Sequence, residues 1–544
     1  MLKVFLGRLF QPPYGATLVS FFTAAFIVLF DNQLFWHNLA ARLSLSSLEH
    51  WRLVLTLGAI LILLFNVVFL VGSFRPTFKP FLVSVLLIAA GVSYFSDAFG
   101  VVIDKSMIRN ILETDVHEAG ELLTWSLFRH LLLYGAIPAA LVMLAPIRYP
   151  TWRRGLLLRV GGIVVSLGIA VALLMTDYKG FVLFGRENRD LQVFINPSYP
   201  IYALSKVIKT DHFAHAAEPL QVVAADAVRE EHDNRSVVVL VVGETARAKE
   251  MALNGYERNT NPYTGSRDVI SFTDVESCGT ATAESVPCMF SPLGRDQFSR
   301  SKAANSENLL DILQRTGVKV VWRDNNSGSK GVAERVTYED FSKRKDAQFC
   351  SDNNCYDEVL LDGLDDLIRN SQGDMLIVLH IKGSHGPSYY KRSPADLKVF
   401  TPECTQDNVQ DCPRQTIVNA YDNTIVYTDF LLGKIIDLLQ AQNSATAMLY
   451  LSDHGESLGE NGIYLHGLPY ALAPKEQTHV PMQFWASTEF LDGRHLDRST
   501  LHNKRNAPYS HDYLIHSLLG LFNVRTSIYR RDLDLFSSED RHLG

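Results

Sequence analysis

The chain has no cysteine before Cys278, no CxxC pair, and no histidine at zinc-finger spacing. Those absences argue against a finger-type metal module. It also lacks a basic patch with interleaved aromatics, and a net charge of −7 over 544 residues is mild. Nucleic acid is therefore dropped as a partner. The six cysteines that are present fall as three short-range pairs: Cys278 with Cys288, Cys350 with Cys355, and Cys404 with Cys412. Each pair closes a small loop, the pattern of local disulfides in an oxidising compartment.

The first 176 residues are dominated by apolar runs, near 17–36, 53–72, 81–99, 130–147 and 156–176. Each approaches the ~20 residues that cross ~30 Å of hydrocarbon. No small-residue cleavage site follows the first run, so it reads as an anchor and not as a signal peptide. Lys3 and Arg8, then Arg75 and Lys79, then Arg148, Arg153, Arg154 and Arg159 fall on one side of the membrane if the spans alternate. The positive-inside rule puts that side in the cytoplasm and everything after about residue 177 outside. The cysteines independently agree. The expectation is a multi-pass protein of a bacterial inner membrane: a transmembrane domain over 1–177, a juxtamembrane linker over 178–235, and a periplasmic domain over 236–544. In the linker, Asn196-Pro197-Ser198-Tyr199-Pro200 breaks any long helix, and the amphipathic run IYALSKVIK suits the bilayer surface.

Between the third and fourth runs lies MIRNILETDVHEAGELL, in which Asn110, Thr114 and Glu118 follow an i, i+4, i+8 spacing. They share one helical face. Spacing alone favours a solvated face; the sharper alternative is a site for a lipid head group.

Beyond residue 235, the apolar runs SVVVLVVGET, MLIVLHIKGSHG and AMLYLSDHGES end at Glu244, near His385, and at Asp453-His454. Near-continuous apolar strands separated by helical stretches indicate an α/β domain with a mostly parallel sheet. Its site is then expected at the carboxyl ends of the strands. Glu, Asp and His together suit a divalent metal, and zinc accepts this mixture. His466 is a further candidate, whereas His479, beside a Val-Pro turn, reads as structural. The nucleophile is sought in CGTATAES, from Cys278 to Ser285, where several hydroxyls stand close to a helix start. Spacing does not choose among them, and some suit N-caps.

The motifs VVGETARA, NGYERNTNP, CGTATAESVPC, WRDNNSGSK, GSHGPSYYKR, LSDHGESLGE and EQTHVP, set behind five apolar runs, give the chain a close resemblance to the lipid A phosphoethanolamine transferases, the group that includes the mobile colistin-resistance enzymes. The resemblance covers essentially the whole chain. It implies an alkaline-phosphatase/sulfatase fold and a catalytic zinc held by Glu244, Thr282, Asp453 and His454, with room for a second zinc. Thr282 matches the nucleophile. His385 and His466 match histidines that bind substrate or the second metal, and Ser327 and Lys330 match contacts to the phosphoethanolamine phosphate. Asn110, Thr114 and Glu118 match the positions that hold the ethanolamine head, which reverses the solvated-face reading. The implied reaction takes phosphoethanolamine from phosphatidylethanolamine, through a phosphoethanolamine-threonine intermediate, to a phosphate of lipid A. The added amine weakens binding of polymyxin-like peptides. A monomer embedded in the membrane is expected.

Rivals are weaker. A sulfatase needs a C/S-x-P-x-R motif, and the nearest stretch, Cys288-Met289-Phe290-Ser291-Pro292, lacks that spacing. A phosphoglycerol transferase of the lipoteichoic-acid type shares five spans and a threonine nucleophile, but the cysteine pairs and CGTAT argue against it. A silent sensor on the same fold would have a degenerate site, and every expected ligand is present. Within the family, core, Kdo and periplasmic glucan are the alternative acceptors.

Overall fold

The computed structural model describes residues 14–43, 47–114, 116–213, 219–230, 235–351, 354–406 and 408–537. The chain forms two compact units, Met1–Lys105 with Leu123–Ser205, and Ser106–Leu122 with Lys206–Gly544. The stretch that carries Asn110 and Thr114 therefore packs with the second unit, although it lies between two apolar helices in sequence.

In the first unit, His50–Val71, Phe78–Phe99, Trp125–Leu144 and Trp152–Met175 are long and apolar enough to cross a membrane. The first expected span is broken. Ala16–Phe30 and Gln33–Ala41 meet at a 55° bend and make a fifth crossing when counted together. The bend falls at Asp31-Asn32, where the Asn32 side-chain amide donates to the Ile27 and Asn196 carbonyls, each at 2.9 Å. That polar pair takes over partners that a continuous helix would use. Within the bundle, Ser20 Oγ donates to Asn66 Oδ1 at 2.5 Å, and Asn66 Nδ2 donates to Ser166 Oγ at 3.0 Å. Three helices are stitched this way, as polar groups in apolar surroundings require.

The second unit is built on a seven-stranded sheet. Its strands in chain order are β1 (Ser236–Gly243), β2 (Ile270–Phe272), β3 (Lys319–Asp324), β4 (Thr337–Asp340), β5 (Met375–His380), β6 (Ala445–Ser452) and β7 (Met482–Ala486). The spatial order is β2-β7-β6-β1-β5-β3-β4. The pairs β6–β1, β1–β5, β5–β3 and β3–β4 are parallel, and β7 runs antiparallel to β6 and β2. Every residue of β1, β5 and β6 is buried, which is why these strands read as unbroken apolar runs and not as alternations. The helices Leu309–Arg315 and Tyr513–Leu521 contribute Leu309, Leu313, Leu514 and Leu518 to the cluster that holds Val238 and Leu240 of β1. The long helix Arg414–Gln440 packs against β6.

Register decides what happens at the strand ends. Gly243 pairs with Ser452, and Val242 with His380. The next residues, Glu244 and Asp453, therefore leave the sheet side by side. Three disulfides join Cys278 to Cys288, Cys350 to Cys355 and Cys404 to Cys412.

Candidate active site at the ends of the parallel strands

Glu244 follows β1, Asp453 and His454 follow β6, and Thr282 opens the helix Thr282–Met289 after an extended Ala281. All four are buried. One ligand atom each from Glu244, Asp453 and His454 lies within 4.8 Å of the others, a grouping that could hold a metal ion. The Thr282 hydroxyl sits among them, donating to Glu244 at 3.0–3.1 Å and lying 3.3 Å from His454 Nε2. His454 Nδ1 donates to the Gly455 carbonyl at 2.9 Å, so Nε2 is the ring atom turned toward the cluster. Close backbone approach makes room for this. Gly383 stands at φ +53°, and a Cβ there would lie 2.7 Å from the Glu244 carbonyl oxygen.

The electrostatics are those of a cluster short of positive charge. Burial, and then the Glu244 charge, push the Asp453 carboxyl up to about 7. Burial opposes ionisation of His454, but Asp453 and Glu244 outweigh it and raise the imidazole to about 10. Burial also acts to raise Glu244, yet the His454 hydrogen bond and charge, with His385 and His466, hold it well below the usual carboxylate range. Among the described residues Asp453 Oδ2 is buried without a hydrogen bond and lies 3.4 Å from His454 Nε2. Two buried carboxylates, one imidazole and one hydroxyl fit a borderline divalent cation such as zinc in donor type and number.

His385 and His466 stand beside this cluster. The His466 ring lies 4.4 Å from that of His454 and 5.3 Å from that of His385, centroid to centroid. His466 Nδ1 pairs with Glu456 Oε2 at 2.7 Å, and Tyr389 donates to Glu456 Oε1 at 2.6 Å. Burial lowers the His466 pKa despite Glu456. Ser327 and Lys330 lie in the loop after β3, where Lys330 Nζ donates to the Ser327 carbonyl at 3.0 Å. On the Lys105–Glu113 helix and just past it, Thr114 Oγ1 donates back to the Asn110 carbonyl at 2.6 Å. The hydroxyl's lone pairs remain to accept from another group. The Glu118 side chain lies outside the described residues. His479 donates to, or accepts beside, nothing in the cluster: its Nε2 meets the Thr273 carbonyl at 2.9 Å.

Sequence reasoning missed several groups. Asn326 Nδ2 donates to Glu244 Oε2 at 2.8 Å and to the Ile381 carbonyl at 2.9 Å, tying the carboxylate to the backbone after β5. Asp324, at the end of β3, takes His380 Nδ1 at 2.9 Å and Trp322 Nε1 at 2.8 Å. Burial acts to lower the His380 pKa, but Asp324 outweighs it and raises it, and His380 in its charged form favours the Asp453 carboxylate. Ser285 Oγ donates to the Asp453 carbonyl at 2.5 Å and so fixes the turn after β6. The signal available for Asp324 and His380 was their place at strand ends; nothing in the run NNSGSK singles out Asn326.

Fold and cluster together define a membrane-anchored enzyme of the sulfatase type, with a threonine hydroxyl set among candidate metal ligands. Comparison with known proteins agrees. The sulfatase family model matches residues 236–524, and the family model described as phosphoethanolamine transferase EptA/EptB matches residues 61–212. The chain is 38% identical to the phosphoethanolamine transferase EptA of Escherichia coli (strain K12), over 98% of this chain and 99% of that one. It is 40% identical to the phosphatidylethanolamine transferase Mcr-1 of Escherichia coli, over 84% and 85% of the two chains. Among solved structures, the integral membrane protein lipooligosaccharide phosphoethanolamine transferase A of Neisseria meningitidis matches with a TM-score of 0.92 at 34% identity, covering 96% of this chain and 99% of that one. The chain belongs to the phosphoethanolamine transferase family, and it is a transferase of the inner membrane with a periplasmic catalytic domain.

Proposed function

We propose that the protein moves phosphoethanolamine from phosphatidylethanolamine to a phosphate of lipid A, with Thr282 as the covalent carrier and a zinc ion as cofactor. The observation that carries this reading is the position of the Thr282 hydroxyl, 3.0 Å from Glu244 and 3.3 Å from His454 in a buried cluster. No other hydroxyl of the CGTATAES segment has that setting among the described residues: Thr280 donates to the Leu468 carbonyl and Ser285 to the Asp453 carbonyl. The names of relatives support the donor lipid and an acceptor that contains lipid A, since one is called a phosphatidylethanolamine transferase and another a Kdo(2)-lipid A phosphoethanolamine 7''-transferase.

Glu244, Thr282, Asp453 and His454 would hold the zinc. The chemistry supplied there is Lewis acidity, which makes a threonine hydroxyl acidic enough to attack at neutral pH. Glu244 accepts the Thr282 hydroxyl hydrogen bond and so turns the oxygen's free lone pair toward an incoming phosphorus. As Thr282 Oγ bonds phosphorus, the bond from phosphorus to the diacylglycerol oxygen breaks. The threonine proton passes first to Glu244, its hydrogen-bond acceptor, and from there through His466, whose Nδ1 is held by Glu456 and whose ring stands beside that of His454, to the departing oxygen. Lys330 and Ser327 hold the phosphate, and Asn110, Thr114 and Glu118 hold the ethanolammonium. In the second step a lipid A phosphate oxygen attacks the same phosphorus, the bond to Thr282 Oγ breaks, and the proton returns to Thr282.

Mass spectrometry of lipid A from cells expressing the protein tests this. A gain of phosphoethanolamine is expected with the natural chain and none with Thr282→Ala. The gain appearing with both, or with neither, refutes the proposal.

A further inference from the structure

The membrane unit holds a cavity of about 440 Å³ where the Ala16–Phe30, Leu48–Val71 and Trp152–Met175 helices meet. Arg75, Arg148 and Arg159 stand in its wall, with Ser73, Tyr149 and Trp152. The catalytic domain is periplasmic, and the last crossing reaches that side at Met175. Trp152, at its other end, and the cavity beside it therefore lie at the cytoplasmic face.

The wall is basic and contains no acidic residue. Arg159 donates from Nε to Ser73 Oγ at 3.0 Å and from Nη2 to the Ser73 carbonyl at 2.8 Å. Its guanidinium lies 4.0 Å from the centre of the Phe74 ring. These contacts fix the group without neutralising it. The backbone of Arg148 is held by its pairing with Gly15. Among the described residues, neither Arg75 nor Arg148 has a carboxylate partner. The flanking chain offers no counterion either, since no Asp or Glu occurs over 1–30, 50–96 or 122–176. Two helices also start here, at Gly15 and Thr151, and neither start has a side-chain cap. Their first-turn N–H groups add partial positive charge to that of the arginines.

The positive-inside rule accounts for cations on this face but not for a cavity among them. Arg153 and Arg154 obey the same rule and are exposed outside the wall, Arg153 lying 5.4 Å from the centre of the Trp152 ring. Like charges around one cavity repel, and an anion between them relieves this. Guanidinium forks match phosphate oxygens in particular. The wall continues onto Leu156 and Leu158, both exposed along the last crossing. That is the setting of an acyl chain below its head group.

We infer that this cavity binds an anionic phospholipid of the cytoplasmic leaflet, its phosphate held by Arg75, Arg148 and Arg159. Basic pockets between helices at this face are a recurrent solution for such head groups. A free phosphate shares the head-group chemistry, but the leucines of the wall favour the lipid. The inference does not depend on the reaction at Thr282.

Native mass spectrometry of the full-length enzyme in detergent tests this, with phosphatidylglycerol, zwitterionic phosphatidylcholine and inorganic phosphate as probes. Phosphatidylglycerol is expected to bind about tenfold or more tighter than phosphatidylcholine, and inorganic phosphate is expected not to displace it. Arg75→Gln combined with Arg148→Gln is expected to weaken phosphatidylglycerol binding by about thirtyfold, the scale for two arginines facing an anionic lipid. Arg153→Gln combined with Arg154→Gln removes the same charge from the same face outside the cavity, and a loss below about threefold is expected. If the first double variant does not fold, its two single variants carry the comparison, each with a loss of about fivefold. Equal losses in the two double variants would mean diffuse surface charge and overturn the inference. So would phosphatidylcholine binding as tightly as phosphatidylglycerol, or displacement of the lipid by inorganic phosphate.

Discussion

Thr282 stands between two regions of opposite character. On one side Glu244 and Asp453 are wholly buried with a single imidazole between them, and Asp453 keeps an oxygen without a hydrogen bond. On the other, Arg300 and Lys330 converge on the Glu113 carboxylate, one oxygen of which has no hydrogen bond among the described residues. The first region gathers carboxylates around one imidazole, and the second gathers two cations around one carboxylate. Under the proposed reaction, a threonine that becomes nucleophilic and then carries phosphoethanolamine would use that asymmetry: metal charge on the acidic side and positive side chains around the phosphate. The two regions are also assembled differently. The acidic side comes from strand ends in one sheet, fixed by register, and the basic side from the loop after β3, the short helix Arg300–Ala304 and the inserted stretch Ser106–Leu122.

The sharpest way to break this comparison is to remove the charge on the acidic side. Glu244→Gln is expected to lose the bound zinc and to lower transfer by roughly 10²–10³, the scale for breaking a buried charged cluster. Metal analysis of the purified variant checks it, and a variant that keeps both zinc and activity removes Glu244 from the site.

The same region makes a pH prediction. Asp453 is raised to about 7 and His454 to about 10, so both carry protons in the metal-free protein on the acid side of those values. Zinc must expel them. Affinity should therefore rise with pH: by about tenfold per unit while only the His454 proton is displaced, and more steeply below about pH 7, where the Asp453 proton is displaced as well. Competition with a chelator on both sides of neutrality measures the slope, and an affinity independent of pH contradicts the electrostatic account.

A smaller effect separates the histidines from the ligands. Glu456→Gln should leave zinc in place and slow transfer by about 10–100-fold, because Glu456 orients His466 from behind. Loss of zinc in that variant would make Glu456 part of the metal side instead of a support for the proton relay.

The acidic side was largely legible in the sequence and the basic side was not, for a physical reason. A parallel sheet buried on both faces writes itself as runs of valine and leucine, and the residue after each run is at the sheet's carboxyl edge; Glu244 and Asp453 follow from that alone. The basic side depends on chain segments far apart, such as Glu113 and Arg300, which no local period connects. Lys330 and Ser327 were reached only through family resemblance, Arg300 not at all, and Asn326 stayed hidden in a polar loop without periodic pattern. The broken first span has a similar cause. An apolar run reads as one helix, and the donation of Asn32 to the Ile27 carbonyl and of Asn196 to the Asp31 carbonyl becomes visible only in three dimensions.

The most direct measurement is peptide mass spectrometry of the full-length enzyme after incubation with phosphatidylethanolamine and zinc, with lipid A withheld. A phosphoethanolamine adduct on Thr282, discharged when lipid A is added, is the predicted result. An adduct on another residue, or none while transfer proceeds normally, would contradict the assignment of Thr282 as the carrier.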